Sequence, residues 1–222
     1  MASTFITNPP NEVSMATFRA AMDRLGGPAK QCRFAVRILP IGQSQLLSKK
    51  MPGGGTNNYG SLLQEMVFLC ESVEFPGRGL DFIDARYYGP AIQMPTNSKY
   101  AQQADLTFIC RTESFERQLF DDWMEIVNPS DTFDFNYIDQ YWCEIQIFQL
   151  AEYGETNKSG QALTQPVYQW TLLRAYPIQV HPQAVTWADQ DVLRLSVTFS
   201  YRYWFRPNRD QMATTGTITV PQ

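Results

Sequence analysis

The chain contains a single histidine, His181, among 222 residues. A histidine-cluster metal centre is therefore excluded, and any Ser-His-Asp site would have to use this one imidazole. His181 sits in "QVHPQ", against Pro182 and just after a strand-like run, with no nucleophile elbow nearby. It reads as a structural or surface histidine. Long apolar runs are also missing. No stretch reaches the roughly 18 apolar residues of a membrane span, so no membrane partner is expected. The first residues, "MASTFITNPPNEVS", lack a basic start followed by an apolar core, and a secretion signal is not expected. The sequon Asn157-Lys158-Ser159 then carries no weight. The four cysteines, Cys32, Cys70, Cys110 and Cys143, form no CxxC pair, and each falls in a strand-like run. Zinc ligands cluster on turns, so buried free thiols in a reducing compartment are the expectation.

A basic surplus is absent too. With 18 basic and 22 acidic residues the net charge is −4, against the basic face of a duplex-DNA reader. The charge is uneven. Residues 113–155 hold eleven acidic residues and only Arg117, or −10, while the remainder carries +6. Either this is a solvated acidic face, or the chain self-associates through complementary patches. At 44% apolar and 14% aromatic, the chain suits one domain with a sizeable core.

What is present is mostly alternation. Residues 191–205, "DVLRLSVTFSYRYWF", place Leu193, Leu195, Val197, Phe199, Tyr201 and Tyr203 against Arg194, Ser196, Thr198, Ser200 and Arg202. A period of two this long means a half-buried strand. Further strands are expected at 32–40, 65–75, 104–111, 132–137, 141–150 and 167–180, with two short ones around a turn at Gly89-Pro90 after the break "PGRG" at 76–79. Residues 1–14 read as a flexible arm and 206–222 as a polar tail. Met15, Phe18, Met22 and Leu25 mark one face of a short helix, capped by Ser14 and stopped by Gly26-Gly27-Pro28. The strongest helix is 114–127. Phe115, Leu119, Trp123 and Ile126 form its core stripe, Ser114 its cap and Pro129 its stop. The expected fold is thus mainly β (α+β): an antiparallel sandwich or barrel, residues 15–205, with one packed helix and a short N-terminal helix.

Catalytic signatures do not emerge, and no enzyme or cofactor is expected. Residues 41–61 read as a long mobile loop. Its lysines precede its glycines in "KKMPGGGTNNYG", the reverse of a phosphate-binding loop. Residues 154–165 are a second polar loop. Asp121 and Asp122 diverge by ~100° on a helix and do not converge on a metal or substrate. The aromatics Trp123, Tyr141, Trp142, Trp170 and Trp204 fit core or interface positions better than a base- or sugar-stacking platform.

Several segments in order resemble the tail tube proteins of contractile-tailed bacteriophages. They are "FAVRI", "FLCESVEFPGRG", "DLTFIC", "ERQLFDDWMEIV", the proline-bearing "RAYPIQVHP", and "VTWADQDVLRLSVTFSYRYW". The resemblance runs from about residue 17 to 204. It implies a non-enzymatic virion protein, assembled in the host cytoplasm, whose six-membered rings stack into a tube that passes DNA transiently and non-specifically. Partners would be further copies, a tail sheath and a baseplate. The hairpin 75–95, with Phe75, Arg78, Asp81, Asp84, Arg86 and Tyr87, would reach the next ring. Arg194, Ser196, Thr198, Ser200 and Arg202 would face the lumen or a neighbouring subunit, the arginines pairing with its 113–155 acidic segment. The long 41–61 loop and the tail after Trp204 depart from a plain tube subunit. They keep a baseplate tube initiator or tail-end adaptor as the alternative. A carbohydrate-binding β-sandwich using Trp142 or Trp170 is the reading from a different class.

Overall fold

The computed structural model describes residues 15, 19, 20, 29–41, 59–86, 88–150, 155–156, 162–163, 166–188 and 190–207. The strands are β1 (Phe34–Pro40), β2 (Cys70–Val73), β3 (Arg78–Ala85), β4 (Ile92–Tyr100), β5 (Gln103–Ile109), β6 (Cys143–Leu150), β7 (Glu155–Thr156), β8 (Ala162–Leu163), β9 (Pro166–Val180), β10 (Arg194–Ser200) and β11 (Tyr203–Phe205). The helices α1 (Tyr59–Glu65) and α2 (Phe115–Val127) accompany them. Seven strands form one antiparallel sheet in the order β1-β6-β9-β10-β5-β2, with β11 also on β9. The fold is mainly β.

One long strand bends this sheet around the core. The first part of β9 pairs with β6 and β11, and its last part, from Tyr176, pairs with β10. The register slips where Cys143 faces Ala175 and Ile145 faces Leu172. Arg174 lies within that bulge with its backbone in the left-handed region, φ 54. A bulge adds local twist and bend, so one strand serves two differently oriented halves.

Alternation decides which side is inside. Leu195, Val197 and Phe199 of β10, Leu106 and Phe108 of β5, and Ile145 and Ile147 of β6 are fully buried. Helix α2 covers them. Leu119, Phe120 and Trp123 are fully buried, Ile126 and Val127 nearly so, and Phe115 is half-buried. Trp123 lies parallel to Phe120 at 6.3 Å and edge-on to Phe199 at 6.0 Å, and its Nε1 donates to the Tyr141 carbonyl at 2.8 Å.

Several local expectations are corrected. Residues 65–69 are not strand. Leu62, Leu63 and Met66 share a buried helical face, the helix runs on as a 3-10 turn at Met66–Phe68, and the strand is only Cys70–Val73. Arg78 and Gly79 belong to β3 rather than to a break. Residues 132–137 alternate but form no strand, because among the described residues no neighbour offers them a ladder. The run 191–205 is two strands: Tyr201 and Arg202 turn the chain so that β10 pairs with β5 and β11 with β9. Within the 154–165 loop, β7 and β8 pair.

The helix cap is also corrected. Ser114 has a left-handed backbone, φ 52, and makes no side-chain cap bond, because a capping hydroxyl needs extended geometry to reach back. Glu116 is fully buried instead, accepting from Arg111 N at 3.2 Å and Arg111 Nε at 2.6 Å. Arg111 also pairs with Glu65 at 2.6 Å, tying α1 to α2.

Of the loop expected at 41–61, residues 59–61 are helical, and the Tyr59 ring is fully buried with its hydroxyl donating to Asp122. Residues 42–58 lie outside the described residues, as do 1–14, Tyr87 and 208–222. Of the N-terminal helix, Met15, Arg19 and Ala20 are described, and they are helical and exposed.

Cys32 is exposed in a turn, against the expectation of a buried thiol in a strand. Cys70 is half-buried, and Cys110 and Cys143 are buried. Burial pushes the Cys70 thiol up to about 12 and raises those of Cys110 and Cys143. Thiolates are the reactive form. A chromogenic disulfide reagent at neutral pH should therefore meet one fast thiol, Cys32, in the native chain and four in denaturant. A second equally fast native thiol would contradict the packing around Cys70.

Candidate assembly surfaces

The β3–β4 hairpin stands off the body with almost every residue exposed. Its register pairs Leu80 with Ser98 and Asp81 with Asn97, then slips so that Phe82 faces Pro95 and Ile83 faces Met94. Thr96 is the extra residue, and its hydroxyl donates to the Asp81 carbonyl at 3.1 Å. Gly89 turns the tip with φ 86. This register sorts the apolar residues onto both faces: Leu80, Phe82 and Pro95 on one, Ile83, Ala85, Ile92 and Met94 on the other. Leu80, Phe82, Ile83 and Ile92 are each 57–60% exposed. A two-stranded ribbon is marginal alone in water, and one apolar on both sides is made to be covered on both sides.

The stem of the hairpin is gripped by aromatics. Trp204 Nε1 donates to the Gly77 carbonyl at 3.1 Å, and Tyr100 meets the Trp204 ring edge-on at 6.2 Å. Phe75 stacks on Trp170 at 4.3 Å, and Tyr168 packs against the same indole at 4.2 Å. Arg78 lies over Tyr100 and donates to Ser98 Oγ at 2.8 Å. Arg86 Nε donates to the Gly89 carbonyl at 3.2 Å. Asp81 and Asp84 are exposed. Trp142 lies under the Arg174 guanidinium. The two tryptophans that a sugar platform would use are thus both occupied within the chain.

The polar side of β10 is mostly knitted to its neighbours. Arg194 pairs with Glu71 and Asp191, each at 2.7 Å, and its hydrogen bond holds Asp191 below the usual carboxylate range. Ser196 shares a hydrogen bond with Thr107 at 2.9 Å. Thr198 is buried, donating to Asp105 at 2.5 Å and meeting His181 Nε2 at 3.0 Å. The single histidine is therefore a packing partner of the sheet. Ser200 is half-buried, and Arg202 is exposed with no side-chain partner among the described residues. The five polar residues of the strand are therefore not equivalent: only Arg202 presents an unpaired charge.

The sequence alone did not mark Phe133, Phe135 and Tyr137 as a surface: they were read as part of a strand and are 72%, 76% and 82% exposed. It missed Lys99, which stands near Arg202. The available signal was charge: Asp131 and Asp134 accompany the three aromatics, and no Lys or Arg lies between Arg117 and Lys158. Among the described residues no cluster of three metal-ligating side chains occurs, and no helix is long and apolar enough to cross a membrane.

A family model described as phage tail tube protein matches residues 29–207, from the approach to β1 through the end of β11. The chain belongs to the phage tail tube protein family. That family is structural and non-enzymatic, a component of phage tails. Among solved structures, the fold is shared with the sheath/tube terminator of the PVC extracellular contractile injection system in its extended state. The two are 17% identical with a TM-score of 0.50, over 82% of this chain and 97% of that one. The sheath-tube complex of the same system is similar at 16% identity and TM-score 0.49, over 88% and 99% of the two chains. No curated protein matches.

Proposed function

We propose that this tail tube family member assembles into six-membered rings that stack into the tube through which phage DNA leaves the particle. The observation carrying this reading is the hairpin, exposed and apolar on both faces. In a stack it would lie between subunits of the next ring, with Phe75, Arg78, Asp81, Asp84, Arg86 and Tyr87 along or beside it. The sheet edges support the same reading. Among the described residues β1 and β2 are each paired on one side only. Open edges invite pairing with another chain, and a closed ring satisfies them all.

The chemistry of the lumen fits as well. A basic wall would gain affinity for the phosphate backbone by counterion release and retard the cargo. A chain of net charge −4, with the half-buried Ser196 and Ser200 as mild polar groups on β10 and Thr198 turned inward, does not. A sheath and a baseplate are the expected outer and end partners. Electron microscopy of the purified protein should show rings or tubes. Single particles alone, together with tails lacking the protein in their tube, would overturn the reading.

A second reading is a tube initiator or tail-end adaptor of the same fold. The sheath/tube terminator among the similar structures favours it. Copies per particle separate the two: one ring for an adaptor, many for a tube.

A further inference from the structure

Residues 131–137, just beyond α2, open with a turn at 131–132 and run on as neither helix nor strand. The segment is pinned: Phe133 N donates to the Pro129 carbonyl at 2.9 Å, Asn136 N to Val127 at 3.2 Å, and Asn136 Nδ2 to Ile126 at 2.7 Å. Phe133 is held at φ 57, a strained backbone for an aromatic residue. Yet its three aromatic side chains, Phe133, Phe135 and Tyr137, stand in solvent. The Asp131 and Asp134 carboxylates are exposed and have no partner among the described residues. A fixed element that holds aromatic surface in water is preorganised for cover, since little ordering cost remains on binding.

A surface of opposite character lies at the hairpin stem. An open groove of about 740 Å³ is lined by Asp81, Asn97, Lys99, Tyr100, Gln103 and Arg202. Lys99 and Arg202 have no partners among the described residues and outnumber the one carboxylate. Tyr100, with Tyr203 at 6.4 Å, supplies an aromatic wall.

We propose that the 131–137 segment of one subunit docks in the Lys99–Arg202 groove of its neighbour in the ring. This rests on the ring reading above. Carboxylates meet cations, and aromatics meet aromatics. The two surfaces belong to different parts of the same chain, so the contact is head-to-tail and repeats around a ring. The pairing also refines the notion of acidic residues meeting β10 arginines. Arg194 is taken up within its own chain, and Arg202 acts with Lys99.

Charge exchange tests this. The acid-reversed variant carries Asp131→Lys and Asp134→Lys; the groove-reversed variant carries Lys99→Glu and Arg202→Glu. Each alone should lower pelletable assemblies roughly tenfold or more, because like charges then face each other. Mixed in equal amounts, the two should recover assembly by alternating around an even-numbered ring. Melting curves matching the wild type show that each variant folds. If both variants assemble like the wild type, or if folded variants stay apart when mixed, the pairing is wrong and the tube reading stands. A wild type that forms no rings would instead defeat the tube reading itself.

Discussion

Replacing Phe82 and Ile83 together by aspartate is expected to leave the subunit folded and to abolish the proposed tube assembly. The two residues sit on opposite faces of the β3–β4 hairpin and are 59% and 57% exposed in the isolated subunit. Folding therefore gains little from them, and surface changes of this kind shift stability by only about 0.5 kcal/mol. Assembly is different. Covering each side chain should contribute about 1.5–3 kcal/mol, and forcing an unpaired carboxylate into the same place costs several kcal/mol. Every subunit in a ring would carry both defects, so the effect multiplies along the stack. Light scattering after size exclusion and negative-stain imaging report the assembly, and a thermal melt reports the fold. Tubes of normal length with an unchanged melt would show that the hairpin is not the inter-ring contact.

Trp123→Ala is expected to cost about 3–5 kcal/mol, the range for removing a large buried aromatic side chain. Trp123 is fully buried between α2 and the sheet, parallel to Phe120 and edge-on to Phe199. The substitution empties that space and leaves the Tyr141 carbonyl without its donor. Domains have only about 5–15 kcal/mol of net stability, so a large share is at stake. Urea unfolding should show the midpoint falling with little change in slope. A loss below about 1 kcal/mol would mean that α2 does not seal the core as described. The two experiments are complementary. One substitution removes assembly and spares the fold, and the other strikes the fold directly.

The legibility of each element followed from how local its cause was. Helix α2 could be read because Leu119, Trp123 and Ile126 recur at helical spacing and Pro129 stops the pattern. Strand β10 could be read because Leu195, Val197 and Phe199 alternate with polar residues. Both patterns are set by the neighbours along the chain. The segment 132–137 alternates just as well and is no strand, since a strand also needs a partner at the right distance. Ser114 looked like a cap, but the Arg111–Glu116 pairing took that place with a left-handed turn at Ser114. Tyr59 lay inside a stretch read as loop, and only its packing against the core and its bond to Asp122 reveal a helix there.

For the assembly surfaces the division is sharper. The mainly antiparallel fold, the helix that covers it and the resemblance to tail tube proteins were legible along the chain. These follow from periodicity, residue type and motif order. Which polar groups remain available became visible once the strands were paired. Arg194 and Arg202 are equivalent in the alternation, yet one is paired to Glu71 and Asp191 and the other stands free beside Lys99. The register of β3 on β4 sorted the hairpin's apolar residues onto two opposite faces. Pairing and register join residues far apart in the chain, and the hydrogen bonds and ion pairs made there set which charges and apolar faces are left for a neighbour.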